Sequence, residues 1–198
     1  MTVTLLDQPP RTLPRSLGPY RRRDYMTLPD EPRCELLYGR FYLSASPLAV
    51  HQIIVGQLFR LFADVADRTD AVAMVAPMDV HLVDHSVVQP DVIFISKQRR
   101  DFIENWVEGP PDLLVEVLSP GTASRDRVYK LNLYREHGVG EYWVVDPKQR
   151  RISFLVREDE DFVERTPDGS SYRSVAVPEI ELDMDALWAA VDRVFSKG

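Results

Sequence analysis

Residues 110–130 read PPDLLVEVLSPGTASRDRVYK. The stretch opens on an apolar run and closes on a lysine, with Glu116 set among Leu113, Leu114, Val115, Val117 and Leu118. A run this short, rich in β-branched and aliphatic residues and bounded by Pro-Asp before and Ser-Pro after, reads as a buried strand. An unpaired charge inside such a strand is costly, so Glu116 needs a partner or a chemical role. Residues 124–137 then carry helical spacing, with Gly138 placed to close the helix. GEYWVVDP (140–147) returns to a strand pattern. Strand, helix and strand in succession predict a sheet with helices packed against it.

The flanking sequence extends this reading. CELLYGRFYLSAS (34–46) predicts two short strands around a turn at Tyr38-Gly39. Over 47–66 the period changes: Leu48, His51, Val55, Leu58, Phe62 and Val65 recur at three- and four-residue spacing, which predicts an amphipathic helix. Ser46 is its expected cap and Pro47 its first-turn proline. AVAMVAPMDVHLV (71–83) and VVQPDVIFIS (87–96) predict a strand pair around Asp84-His85. RISFLVRE (151–158) predicts another strand, and MDALWAAVDRVFS (184–196) a terminal helix. The expected fold class is mixed α/β, a mixed β-sheet flanked by helices, in one domain over 25–198. Residues 1–24 hold Pro9, Pro10, Pro14 and Pro19, and five arginines against two aspartates give them a net charge of +3. Such a segment predicts a flexible arm, either a solvated tail or a phosphate-binding one.

The chain of 198 residues carries 24 basic and 31 acidic side chains, net −7, with 44% apolar residues. That balance argues against non-specific coating of nucleic acid, where phosphate neutralisation dominates, and leaves room for a local basic patch. A single cysteine, Cys34, permits no internal disulfide, which fits a reducing, cytoplasmic setting. No uninterrupted apolar stretch approaches the ~20 residues that span a bilayer, so no membrane association is expected. There is no G-x-x-x-x-G-K-[ST] loop, so no nucleotide cofactor is expected, and no G-x-S-x-G elbow. His81 and His85 lack the H-E-x-x-H frame and sit in a hairpin pattern, which argues against zinc.

A carboxylate at the end of a buried strand is well placed to ligate a hard cation such as Mg²⁺, which takes one or two carboxylates and completes its shell with water and phosphate. Asp112 lies four positions before Glu116 on the same strand, ~13 Å away at ~3.3 Å per residue, too far to share an ion. Asp91 opens VIFIS, the expected neighbouring strand, and cross-strand pairs sit ~5 Å apart. Asp91 is therefore the preferred partner, and Asp112 reads as a strand-entry turn residue.

QPDVIFIS, followed by PPDLLVEVLSPGTASRDRVYKLNLYREHGVGEYWVVDP, resembles the Uma2 family (formerly DUF820), of the restriction-endonuclease-like PD-(D/E)XK fold group. CELLYGRFYLSASP with His51 fits the family's opening, and the resemblance spans roughly 25–190. It implies a Mg²⁺-dependent endonuclease, with Mn²⁺ as substitute, acting on DNA and working as a homodimer. Asp91 and Glu116 would be the metal ligands, with the Val117 carbonyl as a third. The fold group places a lysine two residues after the second carboxylate, and here that residue is Leu118. The resemblance moves the lysine to the following helix, where Lys130 fits. On the residues alone, the preferred reading of Lys130 is a solvated lysine paired with Asp126, and only the resemblance turns it toward the site. Glu35 matches an acidic position of the family and would be a third catalytic carboxylate; its alternative is a strand residue facing solvent. His51 is a cleft-wall residue or an ordinary core histidine. The rival functional readings are a catalytically inert nucleic-acid- or protein-binding module of the same fold, and a hydrolase of some other phosphate.

Overall fold

The structure is a computed structural model, and it describes residues 5–6, 13–29, 31–44, 46–119 and 126–195. In chain order the elements are β1 (Leu5–Leu6), α1 (Arg22–Tyr25), β2 (Cys34–Leu37), β3 (Arg40–Leu43) and α2 (Ala49–Thr69). Next come β4 (Val72–Val75), β5 (Val80–Val83), β6 (Ser86–Val88), β7 (Val92–Ile95) and β8 (Leu113–Val117). A π-helical turn, Asp126–Lys130, runs into α3 (Leu131–Glu136). The chain finishes with β9 (Glu141–Asp146), β10 (Arg151–Glu158), β11 (Asp161–Arg165), β12 (Ser171–Arg173), β13 (Glu181–Asp183) and α4 (Met184–Phe195).

Six strands form the central sheet in the order β11-β10-β9-β8-β7-β4. Its one parallel pair is β8 with β9, the pair joined through α3; the remaining neighbours are antiparallel. All five residues of β8 are buried, which is why its sequence is almost continuously apolar. Leu113, Val115 and Val117 face a core built with Leu58 and Phe62 of α2 and Leu187 and Val191 of α4. Leu114 and Leu118 face a second core, with Tyr129, Leu133 and Tyr134 on the side of α3 and Leu37 and Tyr42 from the second sheet. That second sheet runs β1-β3-β2-β6-β5. The mixed α/β expectation holds, with helices on the central sheet and a second sheet closing one face.

The boundaries differ from the sequence reading in instructive ways. Residues 71–96 form four strands in two sheets. Asp84-His85 joins β5 to β6 in the second sheet, while β4 pairs with β7 in the central one. Pro77 and Pro90 divide the two apolar runs, because proline offers no N–H to a ladder. Helix α2 starts at Ala49 with Leu48 as an extended N-cap and no side-chain cap, so Ser46 does not serve there. At 21 residues, α2 is by length and composition long and apolar enough to cross a bilayer. Ile54, Val55, Leu58, Phe62, Val65 and Ala66 instead bury one of its faces against the central sheet. Each large aliphatic or aromatic side chain buried there contributes roughly 1.5–3 kcal/mol.

The expected arm also differs where it is described. The Gly18 N–H donates to the Tyr38 carbonyl (2.8 Å), and the Arg22 N–H to the Asp84 carbonyl (2.6 Å). The Tyr20 ring lies 4.6 Å from that of Phe41, and Arg22 pairs with Glu108 through Nη1 at 2.7 Å. Gly18 and Gly39 touch backbone to backbone: a Cβ on Gly18 would lie 2.2 Å from the Gly39 carbonyl oxygen. Residues 13–24 are thus docked by aromatic stacking and main-chain bonds that a reading of their proline and arginine content misses. The rest of the expected arm, 1–4 and 7–12, lies outside the described residues.

Candidate active site

The β7–β8 ladder runs Val92↔Val115 and Ile93↔Leu114. The next step of the same register places Asp91 opposite Glu116, at the point where the two strands end. Asp91 Oδ2 accepts the Val117 N–H (2.7 Å), a side chain standing where a ladder carbonyl would stand. The same oxygen lies 3.2 Å from His51 Nε2, on the first turn of α2. The strand-end convergence expected of Asp91 and Glu116 is the arrangement found.

Glu116 is buried, and its Oε1 accepts Lys130 Nζ at 2.6 Å and the Tyr134 hydroxyl at 2.8 Å. Lys130 closes the π-helical turn and Tyr134 sits one turn on, so one helical face delivers both. A π-turn interrupts regular helix and often marks a functional site. Lys130 is only 2% exposed. Its Nζ also lies 2.8 Å from Glu35 Oε1 on β2. Glu35 is itself 2% exposed and accepts the Gln89 N–H at 2.7 Å. The solvated reading of Lys130 and the solvent-facing reading of Glu35 are both overturned: the two bury each other's charge. The Asp126 side chain lies outside the described residues.

Three carboxylates, Glu35, Asp91 and Glu116, therefore line one cleft of about 110 Å³ with one ammonium among them. Arg33 also lines the cleft, so three carboxylates face two basic side chains, an acidic excess that favours a cation. Burial and the adjacent Glu116 push the Tyr134 hydroxyl far above its ordinary value, so it stays a neutral donor. Among the described residues no group of three or more His, Cys, Asp or Glu side chains is arranged as a metal centre. Two facing carboxylates at a strand end nevertheless match the sparse oxygen set of Mg²⁺, which keeps water and takes substrate phosphate for the rest of its shell. Asp112 stays away: it accepts the Ser96 N–H (2.6 Å) and lies 3.3 Å from Arg99 Nε, a strand-entry anchor as expected.

Residues 22–185 match the Uma2 family, whose description reads "Putative restriction endonuclease". The chain belongs to the Uma2 family. A search of curated proteins finds no match. Among solved structures, this Uma2 chain is similar to one described as a "putative nuclease belonging to DUF820 from Anabaena variabilis ATCC 29413". The TM-score is 0.74 at 20% identity, covering 87% of this chain and 99% of that one, a likeness of fold.

Two groups of the Uma2 site were not singled out from sequence. Tyr134 lies in the helical stretch 124–137, where nothing in the local pattern gives it a role. Gln89 contributes a main-chain N–H, and no side-chain pattern announces that.

Proposed function

We propose that this Uma2 chain is a Mg²⁺-dependent endonuclease that hydrolyses DNA phosphodiesters. The observation carrying the reading is the meeting of Asp91, Glu116 and Lys130 in one cleft, on the ends of two paired strands and the turn before α3. Asp91 and Glu116 would hold the ion, with the Val117 carbonyl as a further ligand. When bound, the ion supplies Lewis-acid chemistry, polarising the phosphate and making a neighbouring water more acidic. Lys130 places its ammonium beside Glu116, where negative charge develops on the phosphoryl oxygens. Glu35 holds that ammonium in the cleft, so the lysine is fixed before substrate arrives. Tyr134 fixes Glu116 and His51 fixes Asp91. The ammonium that the fold group usually takes from the strand thus comes from the helix side. Leu118, packed in the core, has no part in the chemistry.

Cutting both strands calls for two sites, so the working form in this reading is a homodimer, and sedimentation velocity measures it. The functional test is cleavage of supercoiled plasmid and of single-stranded DNA with Mg²⁺ or Mn²⁺. Wild type should cut and Glu116→Gln should not, both being folded. A wild type that cuts nothing with either ion while binding DNA would leave the inert binding module as the reading.

A further inference from the structure

Beside the carboxylate cleft lies a second cavity of about 310 Å³, and Arg33 and Gln89 line both. Gln89 joins them. Its main-chain N–H is fixed by Glu35, and its side-chain Nε2 donates to Asp79 Oδ1 at 2.8 Å in the second cavity. The Tyr25 hydroxyl donates to the same Asp79 oxygen at 2.9 Å. Burial and the nearby Asp79 push that hydroxyl well above its ordinary value, which keeps it a donor. These bonds settle the orientation of both side chains, because an amide facing a carboxylate must present its nitrogen. Asp79 Oδ2 and Gln89 Oε1 are then two acceptors without hydrogen-bond partners among the described residues. Trp106 and Tyr25 supply flat aromatic wall, and Met26 and Leu28 apolar edge.

Arg33 on the rim balances Asp79, but the Asp79–Gln89 side of the cavity offers acceptors and so suits a donor better than an anion. A neutral, flat, amine-bearing ring fits: it stacks on Trp106 or Tyr25 and gives its amino hydrogens to Asp79 and Gln89. Cytosine, adenine and guanine carry an exocyclic amine, and thymine does not. We infer that the second cavity is a nucleobase subsite, filled by an unpaired base next to the phosphate held in the carboxylate cleft, and that it prefers an amine-bearing base to thymine. The inference rests on the nuclease reading for the position of that phosphate. Arg33, on the rim of both cavities, would then bridge base and backbone.

The test is equilibrium binding with Ca²⁺ in place of Mg²⁺, an ion that fills oxygen sites at longer distances, of labelled oligo-dC, oligo-dT and an abasic oligomer of equal length, with intact strands verified on a gel. Wild type should bind oligo-dC about tenfold more tightly than oligo-dT or the abasic strand, the discrimination of a good base-edge contact. Asp79→Asn keeps one oxygen for Tyr25 and Gln89 and turns an NH₂ into the cavity, so the preference should shift toward oligo-dT, whose O4 accepts. Trp106→Ala should weaken oligo-dC about tenfold through lost stacking and leave the abasic strand unchanged. Equal affinity of wild type for the three strands, or the same dC-to-dT ratio in Asp79→Asn, overturns the subsite. Should Asp79→Asn fail to fold, the wild-type ratio and Trp106→Ala still decide. Cleavage is read separately: base-dependent binding without cleavage sinks the nuclease reading and keeps the subsite, whereas cleavage with base-independent binding does the reverse.

Discussion

Glu116 and Glu141 begin as the same puzzle, a carboxylate in the apolar strand patterns DLLVEVLS and GEYWVV. Both are buried, Glu141 completely. Their partners differ in kind. Glu141 Oε1 accepts Trp143 Nε1 at 2.6 Å. Its Oε2 accepts the Ser174 hydroxyl at 2.7 Å and the Val175 and Ala176 N–H groups at 2.8 and 2.9 Å. Those donors are neutral, and two belong to the backbone. Together they tie the loop before β13 to the central sheet. Glu116 is held by an ammonium on a flexible stem and by one phenol, with two further carboxylates near. A carboxylate held by fixed neutral donors is a clamp. One held by a mobile ammonium shared with a second carboxylate can trade that cation for another, which is what ion binding requires.

The sharpest way to break the contrast is Glu141→Ala, which strands buried donors. It should cost on the order of 3–5 kcal/mol in urea unfolding. A loss under about 1 kcal/mol would falsify the clamp. Leu118→Lys comes next: Leu118 lies in the core on the same strand face as Glu116, and a buried ammonium there costs roughly 2–4 kcal/mol unless it reaches a carboxylate. Combined with Lys130→Met, the penalty should shrink, since Glu116 is then without its ammonium; strict additivity of the two changes would show that the new lysine never meets it.

Lys130→Met should keep or raise Mn²⁺ affinity in calorimetry, because a competing cation is gone, while cleavage falls by roughly 10²-fold or more. Equal cleavage by this variant would remove Lys130 from the chemistry. The mildest change is His51→Ala. It frees Asp91 to reorient, and such supporting groups are worth about 10–100-fold in metal affinity. His51→Ala with native Mn²⁺ affinity would mean that the Val117 N–H alone holds Asp91.

The pairing of Asp91 with Glu116 was legible because strand register is a short-range rule: a run entered by Asp91, laid beside one that carries Glu116 near its end, leaves few alternatives. Lys130 needed the family resemblance, since a lysine between valine, tyrosine and leucine has no spacing that distinguishes surface from cleft. Glu35 was ambiguous for a structural reason. All of Cys34–Leu37 is buried, so the strand shows no alternation to reveal which way its carboxylate points. β11 is largely exposed, and β12 and β13 are three residues each, so their sequences carry little strand signal. The role of Glu141 depends on Ser174, Val175 and Ala176, more than thirty residues away, and no local pattern encodes that meeting.

The docked segment before α1 bears on how this protein is best produced. A recombinant version begun at Tyr25, where sequence patterning first suggests a domain, would lose the Tyr20 ring from Phe41, the Arg22 grip on Glu108 and the short strand beside β3. Phe41 would then meet solvent at an uncovered sheet edge, a template for intermolecular pairing. The loss falls on the hairpin that carries Glu35. Trimming for solubility at that point would create a sticky edge and loosen the support of Lys130 at once, so a purification handle belongs ahead of Leu5 or after the last helix.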